Sequence, residues 1–355
     1  MNFPCKVTLA MPVYNVEKYI ERALLSALNQ TFESIEYLVI DDKGTDKSID
    51  IISNIIANHP RGEYVRIIDH GVNQGLGATR NTAIKEARGE YVFFMDSDDE
   101  IIDHCIQTLY NAILDKDVDW VVGSYSAVST RALESVDFSC MDHQYDGRYC
   151  LVDSMLKGHF VPITTWNKLY RVDFLRKNEI KCVPNHLNED AWFFFQIMLV
   201  TQKCISVSKI TYYYYKIENS ITDFYFYTEE KKQRITSQYI EIDKMKKSLL
   251  NQYAFDDIHS SLLCIVMRES FRYAYEVCCL NVPGADMNIL SKFFMRCKNG
   301  SSRNAIQHFM SYPVSIKQIF KMPRKRIENF LYWLISFTPY IFQYIFIVIV
   351  RFVRK

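Results

Sequence analysis

The sequence predicts an α/β fold: a mostly parallel mixed sheet flanked by helices, with a helical C-terminal extension. Two observations carry that expectation. Short apolar runs alternate with amphipathic stretches through the first hundred residues, as expected of strands joined by crossover helices. The runs end at polar clusters: Asn15, Asp41-Asp42 and Asp96-Ser97-Asp98-Asp99. In sheets of this kind ligands bind beyond the carboxyl ends of the strands, where these clusters would gather.

The first third reads clearly. Residues 6–11 form an apolar strand that ends in the turn Pro12-Val13-Tyr14-Asn15. Residues 17–29 follow as a helix, with Ile20, Ala23, Leu24, Ala27 and Leu28 on one face. A strand over 35–40, a helix over 49–57 and a strand over 65–68 come next. Residues 75–87 form a helix entered through a Gly-rich turn, and 91–95 form the strand that delivers the acidic cluster.

The middle is mixed. Residues 119–122 read as a strand and 129–147 as a polar, irregular loop over the site. Trp166 to Tyr170 lead into a helix over 172–177. Asn188-Glu189-Asp190 precede an apolar helix over 191–200, where Asn188 suits the N-cap and the acids suit the helix dipole. Residues 204–207 and 210–215 read as two closing strands. Beyond Tyr227 the pattern is helical, with a break at 298–301. Three segments result: 1–220 as the catalytic α/β domain, 221–323 as a helical extension, and 324–355.

The last segment stands apart. No charged residue occurs from Asn329 to Val350, and basic residues flank it on both sides. A helix of that length would be about 33 Å, near the roughly 30 Å of a hydrocarbon core. Pro339 interrupts it, and Trp and Tyr residues recur in it, which suits a membrane interface. Membrane association is the favoured reading; a buried helix pair is the alternative.

Composition sets the outer limits. The chain has 355 residues, 49% hydrophobic, so a sizeable core is available. With 42 basic and 41 acidic residues, nothing argues for a nucleic-acid partner. The 10 cysteines include no C-x-x-C pair, so they read as reduced, mostly buried thiols. The N-terminus runs directly into the first strand, and no signal peptide is expected.

Three carboxylates at the end of an apolar strand suit a hard cation such as Mg²⁺ or Mn²⁺, and such ions hold phosphates. The alternative is an acidic helix N-cap before Ile102.

The chain resembles the family 2 glycosyltransferases, which have a GT-A fold, on five segments in order. They are Ala10-Met11-Pro12-Val13-Tyr14-Asn15; Ile40-Asp41-Asp42-Lys43-Gly44-Thr45-Asp46; Asn73-Gln74-Gly75-Leu76-Gly77-Ala78-Thr79-Arg80-Asn81; Gly89 through Asp99; and Asn188-Glu189-Asp190. Trp166 to Tyr170 is similar to a motif of members that build bacterial surface glycans. The second segment usually runs Asp-Asp-Gly-Ser, whereas Lys43-Gly44 follow the Asp pair here. No Gln-x-x-Arg-Trp segment of processive synthases is present, so a single addition is expected.

The resemblance implies an inverting, metal-dependent transfer from a nucleotide-sugar, most simply a UDP-sugar, to a hydroxyl of a glycan or lipid-linked acceptor. Pro12, Tyr14, Asn15, Asp42, Arg80 and Asp96 would bind the nucleotide, with Asp42 accepting from the uracil N–H and Tyr14 packing on the base. Arg80 would hold Asp42 or the diphosphate, or else pair with nearby acids. Asp98 would ligate the metal with Asp96 beside it, while Asp99 orients the turn. Asp190 would be the base, with Glu189 as fallback or as a substrate contact. Trp166, Lys168 and His186 fall on the acceptor side; their duller readings are core packing for Trp166 and exposure for Lys168. The expected location is the cytoplasmic face of the membrane. The competing readings are a retaining transferase of the same fold, a sugar-phosphate nucleotidyltransferase and a non-catalytic scaffold.

Overall fold

The computed structural model describes residues 5–129, 134–157, 159–217 and 228–253, with scattered positions between 258 and 277. The chain divides into two compact units, Met1–Leu151 with Phe160–Ser220, and Val152–His159 with Ile221–Lys355.

The first unit opens with β1 (Cys5–Val13), α1 (Ile20–Leu28), β2 (Ile35–Asp41), α2 (Ser48–Asn58), β3 (Val65–Asp69), α3 (Leu76–Glu86) and β4 (Gly89–Phe94). β1 lies parallel to both β2 and β4, and β2 lies parallel to β3. β1 is buried from Val7 to Val13, as expected for a central strand covered on both faces. Leu9, Met11, Tyr37, Val39 and Phe93 share a core with Ile20, Ala23, Leu24, Ala27 and Leu28 of α1. Residues of opposite parity, such as Ala10, Leu38 and Val92, are equally buried; α3 packs against β1, β2 and β4, and α6 (Val172–Lys177) packs against β4.

The second half of the sheet is mixed. β5 (Glu100–Ile101) is followed by α4 (Cys105–Ile113), β6 (Trp120–Ser129), β7 (Glu134–Phe138), β8 (His143–Asp146), α5 (Cys150–Lys157) and β9 (Lys168–Arg171). After α6 come α7 (Glu189–Val200) and β10 (Lys203–Lys216). The strand order is β3-β2-β1-β4-β9-β6-β10-β5, with β7 on β6 and β8 on β10. β9 runs antiparallel between β4 and β6, while β6 and β10 run parallel.

Two expectations are corrected here. The predicted loop over 129–147 contains the antiparallel strands β7 and β8. They are edge strands with mostly exposed side chains, so they carry no apolar alternation to read. The two predicted closing strands are one strand, β10, with an irregularity between Val207 and Ile210.

In the second unit, α8 (Glu229–Asn251) starts at Thr228, whose hydroxyl accepts from the Lys231 N–H at 3.3 Å. Among the described residues no helix is long and apolar enough to cross a membrane. The predicted break at 298–301 and the segment 324–355 lie outside the described residues.

Asn167 locks the corner that leads into β9. Its φ is 59°, in the left-handed region where Asn is tolerated better than most residues. Its side chain donates to the Gly123 and Ser124 carbonyls at 3.0 and 3.1 Å and accepts from Thr211 Oγ1 at 2.7 Å. Replacing it strands three buried groups and adds backbone strain. Asn167→Ala is expected to lose about 3 kcal/mol of unfolding free energy, read by chemical denaturation.

Candidate active site

The predicted polar clusters meet at the carboxyl edge of the parallel strands, and Asp42 organises one side of them. Buried at 2% exposure, its Oδ1 accepts from the Gln74 N–H at 2.8 Å and faces His70 Nδ1 at 2.9 Å. Its Oδ2 accepts from the Gly75 N–H at 2.8 Å. These contacts leave Oδ2 one further acceptor position. Gly75 has φ 81° and begins α3. A Cβ at Gly77 would lie 2.2 Å from the Val183 carbonyl oxygen, so that position admits no side chain. Asp42 thus sets where α3 starts, and α3 carries Arg80.

Arg80 is 1% exposed. Its Nη1 donates to Glu189 Oε1 at 2.6 Å and to Asp190 Oδ1 at 2.7 Å, and its Nη2 donates to Asp96 Oδ1 at 3.0 Å. Its buried Nε has no hydrogen-bond partner among the described residues. Of the roles expected for Arg80, the structure has the ion pair with nearby acids; Asp42 is held by His70 and backbone instead. Burial works against the guanidinium charge, but Asp190, Asp96 and Glu189 together hold its pKa well above the ordinary value.

The acids respond in kind. Burial, then the charge of Asp190, pushes Glu189 up to about 7 against the opposing pull of Arg80. Asp190 is also raised, chiefly by burial, while Arg80 pulls it back. Thr165 Oγ1 donates a further hydrogen bond to Asp190 Oδ1. Phe193, one turn on in α7, packs edge-on against Phe94 and Tyr170 with ring centroids 6.3 and 5.7 Å apart. That packing seats the start of α7. Asn188 sits at the N-cap position without a capping hydrogen bond from its side chain.

The acidic turn is anchored from β10. Tyr212 Oη donates to Asp99 Oδ2 at 2.7 Å and accepts from the Asp96 N–H at 3.1 Å. The Tyr215 N–H donates to Asp99 Oδ1 at 2.8 Å. Asp99 therefore orients the turn, and the helix N-cap alternative fails because β5 follows and α4 begins only at Cys105. Burial, with Asp96 adding its charge, lifts Asp98 to about 6. Arg22 Nη2 donates to the Asp98 carbonyl oxygen at 2.7 Å.

Among the described residues no cluster of three or more His, Cys, Asp or Glu is arranged to hold a metal. Two neighbouring carboxylates, one costly to ionise where it stands, nevertheless fit a Mg²⁺-type ion. Such ions bind through one or two carboxylates and complete their shell with phosphate oxygens and water.

The remaining predicted residues are placed as follows. Pro12 lies in β1, paired with Ile40. Tyr14 is 48% exposed, its ring open to a ligand. Asn15 has φ 52°, and its Oδ1 accepts from the Thr45 N–H at 2.7 Å. Lys43 takes the left-handed position (φ 56°) in place of the usual glycine, while a Cβ at Gly44 would lie 2.8 Å from the Asn15 N and Oδ1. Trp166 is core: it stacks on Tyr212 and Tyr214 at 4.5 and 5.6 Å. Lys168 is fully buried, not exposed, and His186 is buried and accepts from the Asn188 N–H at 3.2 Å. Sequence reasoning missed His70, Thr165 and the anchoring role of Tyr212. His70 had a legible signal, a polar residue at the end of a strand.

Residues 8–178 match the model of glycosyl transferase family 2. Those residues form a family 2 glycosyltransferase domain. The chain is 35% identical over 217 residues to the poly(ribitol-phosphate) beta-glucosyltransferase of Bacillus spizizenii, covering 60% of this chain and 32% of that one. The first curated relatives are matched over only about a quarter to a third of their length. S. aureus TarS 1-349, solved in complex with UDP-GlcNAc, superposes with a TM-score of 0.55 at 20% identity, covering 82% of this chain and 93% of that one. The mannosyltransferase PcManGT of Pyrobaculum calidifontis, solved with GDP-Man and Mn2+, gives a TM-score of 0.53 at 12% identity, covering 94% and 86%. The fold is GT-A.

Arg80 is the test of this arrangement. Arg80→Lys keeps the charge but cannot span three carboxylates from one point. Turnover, read as nucleotide release from a sugar donor, is expected to fall about a hundredfold. Arg80→Met is expected to lower stability by about 3–5 kcal/mol, because buried Glu189 and the part-buried Asp96 and Asp190 lose their counter-charge.

Proposed function

We propose that this protein is an inverting, metal-dependent glycosyltransferase that moves one sugar from a UDP-sugar to a hydroxyl of a surface glycan or lipid-linked acceptor. One observation carries the reading: the buried Arg80 joins Asp96, on the donor side, to Glu189 and Asp190 within a single ion-paired cluster. TarS with UDP-GlcNAc and the poly(ribitol-phosphate) beta-glucosyltransferase support the substrate class. PcManGT with Mn2+ supports the metal.

In this reading Tyr14 stacks on the base, and Asp42 uses its remaining Oδ2 position for the ring N–H. Pro12 and Asn15 shape the loop beneath the nucleotide. Asp98, with Asp96, would hold Mg²⁺ or Mn²⁺, and the ion would supply positive charge to the departing diphosphate. Asp190 takes the proton of the acceptor hydroxyl as its oxygen attacks the anomeric carbon opposite the leaving group. A carboxylate raised by burial is a better base than a solvated one, and Arg80 and Thr165 keep its ionised form available. Glu189, more enclosed, maintains the cluster and is the fallback base. One displacement at the anomeric carbon converts an α-linked donor into a β-linked product. A retaining enzyme of this fold would not need Asp190, and a scaffold would need neither Asp98 nor Asp190.

The test is nucleotide release by purified protein from a panel of UDP-, GDP- and dTDP-sugars. A UDP-sugar should be turned over with Mn²⁺ and not with chelator. Asp98→Asn should lower that rate about a hundredfold or more without unfolding the chain. Retention of the donor's anomeric configuration in the product would exclude the proposed mechanism.

The segment 324–355 is further proposed to bind the cytoplasmic face of a membrane, on the strength of its uncharged run and flanking basic residues. Deleting it should move the protein from the membrane to the soluble fraction. A full-length protein that is already soluble would refute this.

A further inference from the structure

Lys168 has no place in the chemistry above, yet its position is unusual. It opens β9, the strand inserted between β4 and β6, and is fully buried. Its ammonium donates to the Thr164 carbonyl and lies 3.4 Å from Thr164 Oγ1. Among the described residues it has no ion-pair partner within 4 Å. An unpaired buried ammonium is costly, and burial brings this one down to about 7. An apolar side chain of similar length would cost less at this position. Stability therefore does not account for a lysine here.

Its surroundings do. Of the charges that act on Lys168, Asp190 comes first, ahead of Cys140 and Arg80. The residue beside its partner Thr164 is Thr165, whose hydroxyl donates to Asp190. Asn167, on the other side of Trp166, is pinned to Gly123, Ser124 and Thr211. The 164–168 corner is thus held at both ends, with its cation acting electrostatically on Asp190 and its Thr165 hydroxyl bonded to that carboxylate.

We propose that Lys168 is a positioning residue for Asp190, fixing the Thr164–Thr165 corner and supplying a positive charge that acts on the carboxylate and keeps it ionised. The proposal rests on the reading of Asp190 as base. The other groups facing Asp190 are Arg80 from α3, Glu189 beside it, Asp96 beyond β4, Tyr170 on β9 and Cys182. Burial holds Tyr170 and Cys182 well above their ordinary values, so both stay neutral through the relevant range. Arg80 stays charged throughout. Lys168 is thus the cation beside Asp190 that a neutral substitution removes while the Arg80 cluster stays intact.

The decisive measurement is a ¹³C NMR titration of the Asp carboxyls in the full chain. The Asp190 resonance is assigned by its loss in Asp190→Asn. Removing a nearby positive charge makes the carboxylate harder to ionise. In Lys168→Met the Asp190 midpoint is therefore expected to rise by about one pH unit, and in Lys168→Arg to stay near wild type. If Lys168→Met does not fold, Lys168→Gln removes the same charge while keeping a donor for Thr164, and carries the same expectation. An unchanged midpoint in the neutral variant overturns the proposal. The acid limb of nucleotide release from a UDP-sugar should move upward with the midpoint, costing about tenfold in rate below it. A separate outcome bears on the base itself. If Asp190→Asn releases nucleotide at the wild-type rate, the base reading fails, whatever the titration of Lys168→Met shows.

Discussion

A single buried guanidinium among three carboxylates is the constraint on which the rest of the first unit turns. Burying the guanidinium and the Glu189 carboxylate is costly, and Asp96 and Asp190 are only partly open to water beside them. The arrangement holds only because each group offsets the others at hydrogen-bond distance. The surrounding features follow from that requirement. Asp42 fixes the start of α3 so that Arg80 arrives at the right height. Gly77 lets the chain near Val183 approach closely. Tyr212 holds the acidic turn so that Asp96 faces inward, and Phe193 seats α7 so that Glu189 and Asp190 meet the guanidinium from the other side.

Charge is unequally shared in this cluster. Three acids face one arginine; burial first, and then the charge of a neighbouring acid, raises Glu189 to about 7 and raises Asp190 as well. Near the turn, Asp98 carries the same signature from the same cause, burial, with the charge of Asp96 adding to it. The site is thus poised toward cations on one flank and toward proton uptake on the other. Arg80 separates the two flanks and touches both.

Much of this was legible in the sequence, where the information is local. The alternation of strands and helices through β4 rests on apolar runs and periodicity, and α1 buries the five residues its spacing implies. The polar strand ends could be gathered at one edge because the topology of parallel sheets demands it. What was not legible depends on distant partners or on surfaces that bury little. β7 and β8 are exposed edge strands, so no alternation marks them. β10 reads as two strands because Ser208 and Lys209 interrupt its apolar pattern. The partners of Arg80 lie 109 and 110 positions away. Lys168 reads as exposed because lysines usually are, and only its place between β4 and β6 makes it interior.

The long reach of the Arg80 contacts also bears on how the site comes into being. Helices and neighbouring parallel strands of the first half contain most of their own contacts. The cluster does not exist until α7, more than a hundred residues further on, has docked. Contacts of such sequence separation form at a high cost in loop-closure entropy and tend to appear late in folding. Until then Arg80 and Asp96 face an open edge where water can solvate both. The completed cluster is therefore a marker of a fully folded first unit, and a chain stopped short of α7 would keep its strand-end acids but lack the second half of its chemistry.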